Sequence, residues 1–417
     1  MLQTFKNDLK LLSRYKQLFP LCFAVFVSML GFGLVMPLLP IYARDFGATG
    51  IQLGFLTGSF AITRIITTFL GGWLADKVGR KTPVIVGLLA YSIVMTLYGF
   101  SQDVNQLILL RSLQGLASGI VWPVISVMVA DIALPEDRSK AMSLYEMMLF
   151  LGRVIGPGLG GVLADAFTAS VPFFFCGVLA FLSMILIVFT VQETFKTKTD
   201  AKKHYRDMKH TPKSHLTKSK KGNFLRTITP YPRTFIGLCI AALVISFSSS
   251  LIQPVLSVFA EEELGISVAG VGVLFSAMGA VMLITALPTG TLADRTGRKP
   301  MFILGKVVDA ISAILIIFSG GFWPLLSVMM LRGFGRAASN PSITAMFSGL
   351  VPASRRGKGM GIFNGFRNVG LILGSTIGGF LYELASSELP FLACAVVSLV
   401  GVVIAFLTVS EPKKGFK

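Results

Sequence analysis

The chain has 417 residues, 53% of them apolar and only 14% charged, with a mean hydropathy of +0.74. Soluble chains carry charge on about a quarter of their residues, so these figures exclude a water-soluble globular protein and place the chain in a bilayer. A formal net charge of +18 would fit a nucleic-acid binder only if the basic residues gathered on a face that meets a polyanion, and they do not.

Crossing a ~30 Å hydrocarbon core takes about 20 mostly apolar residues. Twelve such stretches follow one another, near 18–42, 52–75, 82–100, 105–131, 141–164, 172–192, 234–258, 267–291, 300–319, 323–350, 359–382 and 389–410. The first is too long for the core of a signal peptide and lacks a small-residue cleavage site, so it is expected to remain as a membrane helix. If both termini are cytoplasmic, the inner loops and tails hold 30 of the 38 lysines and arginines and the outer loops hold only Arg44. That asymmetry is the positive-inside rule. The basic balance is then an orientation signal for a multi-pass protein of the cell membrane, with anionic inner-leaflet lipid as its partner and no nucleic acid.

Between the sixth and seventh stretches, residues 193–233 are polar and carry a dozen basic residues together with His204, His210 and His215. This reads as a flexible cytoplasmic linker between a first bundle, 1–192, and a second, 234–417. With all three histidines there, none is left inside the membrane. Cys22, Cys176, Cys239 and Cys394 lie far apart within apolar stretches and read as packing residues. No metal site, cofactor or catalytic constellation is expected, so the chain is not read as an enzyme.

The stretch Gly72-Trp-Leu-Ala-Asp76-Lys-Val-Gly79-Arg80-Lys81 recurs 218 residues on as Gly290-Thr-Leu-Ala-Asp294-Arg-Thr-Gly297-Arg298-Lys299. Each copy is a tight loop between two spans, in which a glycine permits close helix approach, an aspartate can sit at a helix N-terminus, and basic residues can bond helix C-terminal carbonyls. The same offset relates Gly115 to Gly333, Pro123 to Pro341, Arg138 to Arg356, and Gly152, Gly156, Gly160 and Gly161 to Gly370, Gly374, Gly378 and Gly379. The loop resembles the signature loop of the major facilitator superfamily. That resemblance implies an all-α membrane protein of twelve helices, built as two pseudo-symmetric six-helix bundles with a binding site at midplane, and a monomer. It also implies that Asp76 and Arg80 latch the outward-facing state, and that Asp294 and Arg298 form a weaker copy.

The fifth span contains Gly152-Arg153-Val-Ile-Gly156-Pro157-Gly158-Leu-Gly160-Gly161. Small residues one turn apart let backbones approach, and Pro157 removes a hydrogen-bond donor, so a tightly packed, bent helix is expected. This is similar to the antiporter motif of proton-coupled efflux members of the superfamily. Arg111-Ser-Leu-Gln114-Gly115 resembles another element of that branch, in which the arginine is linked to proton transfer. One departure stands out: Ser28 occupies the place in the first span where drug/proton antiporters often carry an acid.

Ionisable groups inside spans are expensive in lipid and therefore mark candidate sites. Glu146 and Asp309 are the acids, with Asp131 near a helix end, and Arg64, Arg111, Arg153, Lys306, Arg332, Arg336 and Arg367 are the bases. Lys306 and Asp309 share a helix face and can neutralise each other, while Glu146 and Arg153 share another. The expected proton carrier is Glu146 or Asp309, assisted by Arg111. The expected cavity residues are Phe32, Met36, Arg64, Trp122, Gln253, Arg336, Asn340 and Asn364, since aromatic and methionine side chains suit a loosely shaped apolar guest. The reading is a proton-coupled exporter of small amphiphilic compounds working by alternating access. The alternative is an exporter or exchanger of an anionic or lipid-like solute held by Arg64, Arg332 and Arg336.

Overall fold

A computed structural model describes residues 11, 13–194, 229, 231–352, 355–384 and 386–408. Nearly all of the polar stretch with its three histidines therefore lies outside the described residues. Twelve long helices run through the rest: α1 Leu18–Asp45, α2 Gly50–Val78, α3 Lys81–Tyr98, α4 Val104–Ile132, α5 Arg138–Ala166, α6 Val171–Thr190, α7 Pro232–Ile252 continued after a short break by Leu256–Glu262, α8 Val268–Thr296, α9 Arg298–Ile317, α10 Phe322–Leu350, α11 Arg356–Leu384 and α12 Leu389–Thr408. The observed ends fall within about a turn of the expected ones. Helices dominate because a backbone in hydrocarbon must satisfy its own hydrogen bonds.

All twelve expected helices are thus present, and ten of them are long and apolar enough to cross a membrane by length and composition. The other two, α10 and α11, have 29 residues each and ample reach, but they carry arginine, serine and asparagine on faces turned inward. A helix that lines water needs less apolar surface than one wrapped in lipid. The outer surface is apolar instead: Phe69, Phe189, Leu287, Phe318 and Leu407 are each at least 75% exposed.

The repeat in the sequence is a repeat of contacts. Thr49 caps α2 by accepting the Gln52 N–H, and Ser267 caps α8 by accepting the Gly270 N–H. Lys81 Nζ donates to the Val188 carbonyl at 2.8 Å, and Lys299 Nζ donates to the Phe406 carbonyl at 2.8 Å. In both copies a glycine makes the sharp turn between helices at positive φ, 94° at Gly79 and 105° at Gly297, where a side chain would strain the backbone.

Glycine also sets the packing inside each half. A Cβ on Gly152 or Gly156 would stand 2.5 Å from the Phe26 carbonyl oxygen or 2.4 Å from that of Leu30, so α5 lies backbone to backbone on α1. Gly370, Gly374 and Gly378 do the same against Leu243, Phe247 and Leu251 of α7. The four cysteines are all buried and unpaired.

Candidate functional site

Among the described residues, the two halves close on each other at one end only. At the end bearing the α1–α2 and α7–α8 loops, a Cβ on Gly50 would meet the Gly379 carbonyl oxygen at 2.3 Å, and one on Gly54 would meet that of Ser375 at 2.6 Å, sealing α2 against α11. Across the molecule, Gly161 and Gly272 seal α5 against α8 in the same way. Among the described residues, polar contacts pin this end: Arg44 grips Glu262 through Nε and Nη2 at 2.7 and 3.0 Å, Glu383 accepts the Ile51 N–H, and Asp165 accepts the Ala269 N–H. Arg44 lies in the last turn of α1 and Glu262 ends the second segment of α7, so this pair ties the first helices of the two halves together.

At the opposite end, which carries the repeated loops, the halves stand apart. Gly72 and Gly290, and Gly357, Gly361 and Gly365 along the first turns of α11, face open space, with no atom within 4 Å of where a Cβ would stand. Asp76 is exposed here. Its loop is held within the first half: Arg80 pairs with Asp131 at the end of α4, and the Glu193 carboxylate accepts the Arg80 and Lys81 N–H groups at 2.9 Å each. In the second copy Gly349 replaces Asp131, and Arg298 turns to Asp294 at 3.5 Å on the exposed surface.

Between the seal and the open end lies a cavity of about 300 Å³. Five of the eight expected residues line it: Phe32, Met36, Gln253, Arg336 and Asn340. Three do not. Arg64 and Trp122 stack on each other at 5.5 Å beside Phe60, behind Phe32, and Asn364 is exposed nearer the open end of α11. Arg153 and Arg367 line the cavity although the sequence alone does not assign them to it. A readable signal exists: Ser246, Ser249, Ser250 and Gln253 form a polar stripe at helical spacing on an otherwise apolar α7, and all four line the cavity.

The expected proton-linked residues occupy three different surroundings. Glu146 is exposed, four residues before Phe150 and seven before Arg153 on the same α5 stripe, so it stands between the open end and the cavity. Asp309 is wholly buried: Lys306 Nζ bonds Oδ2 at 2.6 Å, while Arg332 Nε and Arg336 Nε lie 3.1 and 3.9 Å from Oδ1. Arg111 is buried, and among the described residues no acid pairs with it. It donates to Gln114 Oε1 at 2.7 Å and to the Leu56 carbonyl at 3.3 Å, and it lies over the Phe60 ring at 4.5 Å. Gln114 is held in turn by Tyr98 and Tyr91, and Tyr91 donates to the Ser28 carbonyl. Ser28 is therefore sealed inside the first half, its hydroxyl spent on Ala24.

Twelve helices in two repeats around a cavity open at one end define a membrane transporter that exposes its site to one side at a time. The major facilitator superfamily model matches residues 21–236 and 238–417, and the chain belongs to that family. It is therefore a multi-pass membrane transporter of small molecules, and not an enzyme. It is 28% identical to quinolone resistance protein NorA of Staphylococcus aureus over 393 residues, 94% of this chain and 96% of that one. It is 29% identical to multidrug resistance protein 2 of Bacillus subtilis over 381 residues, 90% and 91% of the two chains. Among solved structures, a bacterial homologue of the human lysosomal transporter Spinster in an inward-facing, occupied conformation superposes with a TM-score of 0.78 at 14% identity, covering 95% of this chain and 96% of that one. The nucleoside transporter NupG superposes with a TM-score of 0.77 at 14% identity, covering 94% and 98%. At such identity these two share the fold alone.

Proposed function

We propose that the protein exports small amphiphilic compounds across the cell membrane in exchange for protons, with both termini and the repeated loops on the cytoplasmic side. The observation that carries this reading is the one-sided cavity: closed by backbone contact at Gly50, Gly54, Gly161 and Gly272, and open where the basic loops lie. Its apolar lining, with Phe32, Phe275, Met36 and Met278 among it, suits drug-like guests. The names of the Staphylococcus and Bacillus relatives, both resistance proteins, point the same way. Alternating access is then a rocking of the halves, with substrate and proton shifting one two-state equilibrium through unequal affinity for its states.

In this reading Glu146 carries the proton. It faces water on the route to the cavity, whereas Asp309 is committed to three cations and has no exposed surface. Arg111 is a packing hub of the first half. The loop residues Asp76, Arg80, Asp294 and Arg298 form their cross-half latch in the other state and are released in this one. A proteoliposome with an imposed pH gradient tests the assignment. Glu146→Gln is expected to abolish gradient-driven dye transport while dye binding survives, and full gradient-driven transport by Glu146→Gln would refute it. A second arm with Asp309→Asn, scored only on protein that elutes as a single folded species, separates the two acids.

A further inference from the structure

Deep in the cavity the balance of charge is uneven. Arg153 of α5, Arg336 of α10 and Arg367 of α11 all reach it, and among the described residues no aspartate or glutamate lines it. At its head, a narrower cleft is lined by Arg332 and Arg336 together with Ser249, Gln253 and Met36. Behind these arginines sits a single acid, Asp309, already bonded to Lys306. One carboxylate thus faces three cations, and the cluster holds a surplus of two positive charges at a depth where unpaired charge is expensive.

The guanidinium groups are also short of acceptors. Arg332 Nε lies 3.1 Å from Asp309 Oδ1 but off the hydrogen-bonding direction, Arg336 Nε at 3.9 Å is beyond hydrogen-bond reach, and among the described residues Arg332 Nη1 has no hydrogen-bond partner. The remaining contacts are to sulfur: Arg332 Nη2 lies 3.8 Å from Cys394 Sγ, and Arg336 Nη1 lies 4.0 Å from Met278 Sδ. Sulfur is a weak acceptor, whereas a guanidinium fork matches the paired oxygens of a carboxylate or phosphate. Arg332 is 1% exposed and lies in the wall of the cleft beside Arg336, so its unpartnered nitrogens are shut off from bulk water.

We infer that the transported amphiphile carries an anionic group, a carboxylate or phosphate, which seats on Arg336 and Arg332 while its apolar body lies against Phe32, Phe275 and Met278. This rests on the efflux reading and narrows it. Asp309 then serves as the resident counter-ion that holds the arginines in place between cargoes. Arg153 and Arg367 supply positive potential on the facing walls, drawing an anion inward from the open end.

Fluorescein and rhodamine 123 share a xanthene ring and carry opposite charge, so they isolate the charge preference. Binding to the purified full-length protein is read by fluorescence anisotropy, with no pH gradient present. Fluorescein is expected to bind at least about tenfold more tightly than rhodamine 123, and Arg336→Gln to weaken fluorescein by about tenfold or more, the scale of a charge-assisted hydrogen bond. Arg336→Lys keeps the charge without the fork and should fall between; because it is the gentler change, it remains informative if the glutamine variant misfolds. Equal or tighter binding of rhodamine 123, binding of neither dye, or fluorescein affinity untouched in both variants overturns the inference. In proteoliposomes, gradient-driven movement of rhodamine 123 but not of fluorescein leaves the efflux reading standing and sinks this one. Failure of the gradient to move either dye sinks the efflux reading, and the binding result then decides the anion site by itself. Repeating the binding in nanodiscs with and without phosphatidylglycerol tells the source of the anion: competition by that lipid assigns the site to a headgroup, and its absence assigns it to a soluble compound.

Discussion

The two halves are one design written twice, yet they house their buried cations in opposite ways. In the first half the arginines rest on rings and carbonyls: Arg64 and Arg111 on Phe60, Arg153 on Phe32, and Arg111 also on Gln114 and the Leu56 backbone. In the second, Lys306, Arg332 and Arg336 crowd around the Asp309 carboxylate. Cation–π contacts soften the cost of burial without a counter-charge, whereas an ion cluster depends on every member. The repeat therefore preserves helix packing and loop geometry but leaves polar chemistry free to diverge, and that divergence makes the cavity lopsided.

The contrast breaks most readily at Asp309. Asp309→Asn leaves Lys306 and Arg332 buried without compensation, and a loss of about 3–5 kcal/mol is expected, seen as a large fall in thermal unfolding temperature and in yield of folded protein. Arg111→Met removes a cation that has no acid partner and frees Gln114 only in part, so about 1–2 kcal/mol is expected. Equal losses in the two variants would mean that the halves do not differ in the way described.

A second test sets the closed end against the open one. Gly54→Leu drives a side chain into the Ser375 backbone and should destabilise the observed state by about 1–3 kcal/mol, raising the accessibility of the closed end to thiol reagents. Gly72→Leu, with open space around it, should leave this state unchanged and impede the reverse closure, so transport falls while the resting accessibility does not. A smaller effect belongs to Arg44→Gln. The Arg44–Glu262 pair is about one-third exposed on each side, so solvent screening keeps it below about 1 kcal/mol, and its effect on opening should fade in high salt.

The smallest effect concerns pH. The Asp137 carboxyl, just ahead of α5, is held below its ordinary value of 3.8 first by the hydrogen bond from Lys140, then by the Tyr15 hydroxyl and the nearby charges of Lys140 and Arg14. A depressed carboxylate contributes stability that is present above its unfolded value and lost as pH falls through the folded one. Thermal stability should therefore drop below about pH 4, and Asp137→Asn should flatten that drop slightly.

Much of this is legible in the sequence, for reasons particular residues make plain. The helices emerge because membrane spans are long and apolar, and the pairing of halves emerges because Gly79 and Gly297 must each supply a positive φ. The Lys306–Asp309 pair is visible as a three-residue spacing. The cavity is half visible: Phe32, Met36, Gln253, Arg336 and Asn340 line it, but in a chain that is apolar on every side, periodicity barely separates a lipid face from a cavity face. Arg64 and Trp122 therefore read as cavity residues although they stack on each other outside it, and Arg367 reads only as a base inside a span although it lines the cavity. The three-cation grip on Asp309 joins α9 to α10, and no spacing along one helix reports a contact between two.

Spin-label distances test the rocking of the halves most directly, in a background with the four buried cysteines replaced. Labels at Asp45 and Glu263 report the closed end, and labels at Lys77 and Arg295 report the open end; all four positions are exposed. On adding a transported dye and lowering the pH, the first distance is expected to lengthen as the second shortens. Two distances that stay fixed, or that change in the same direction, would contradict an account in which the halves pivot about a shared cavity.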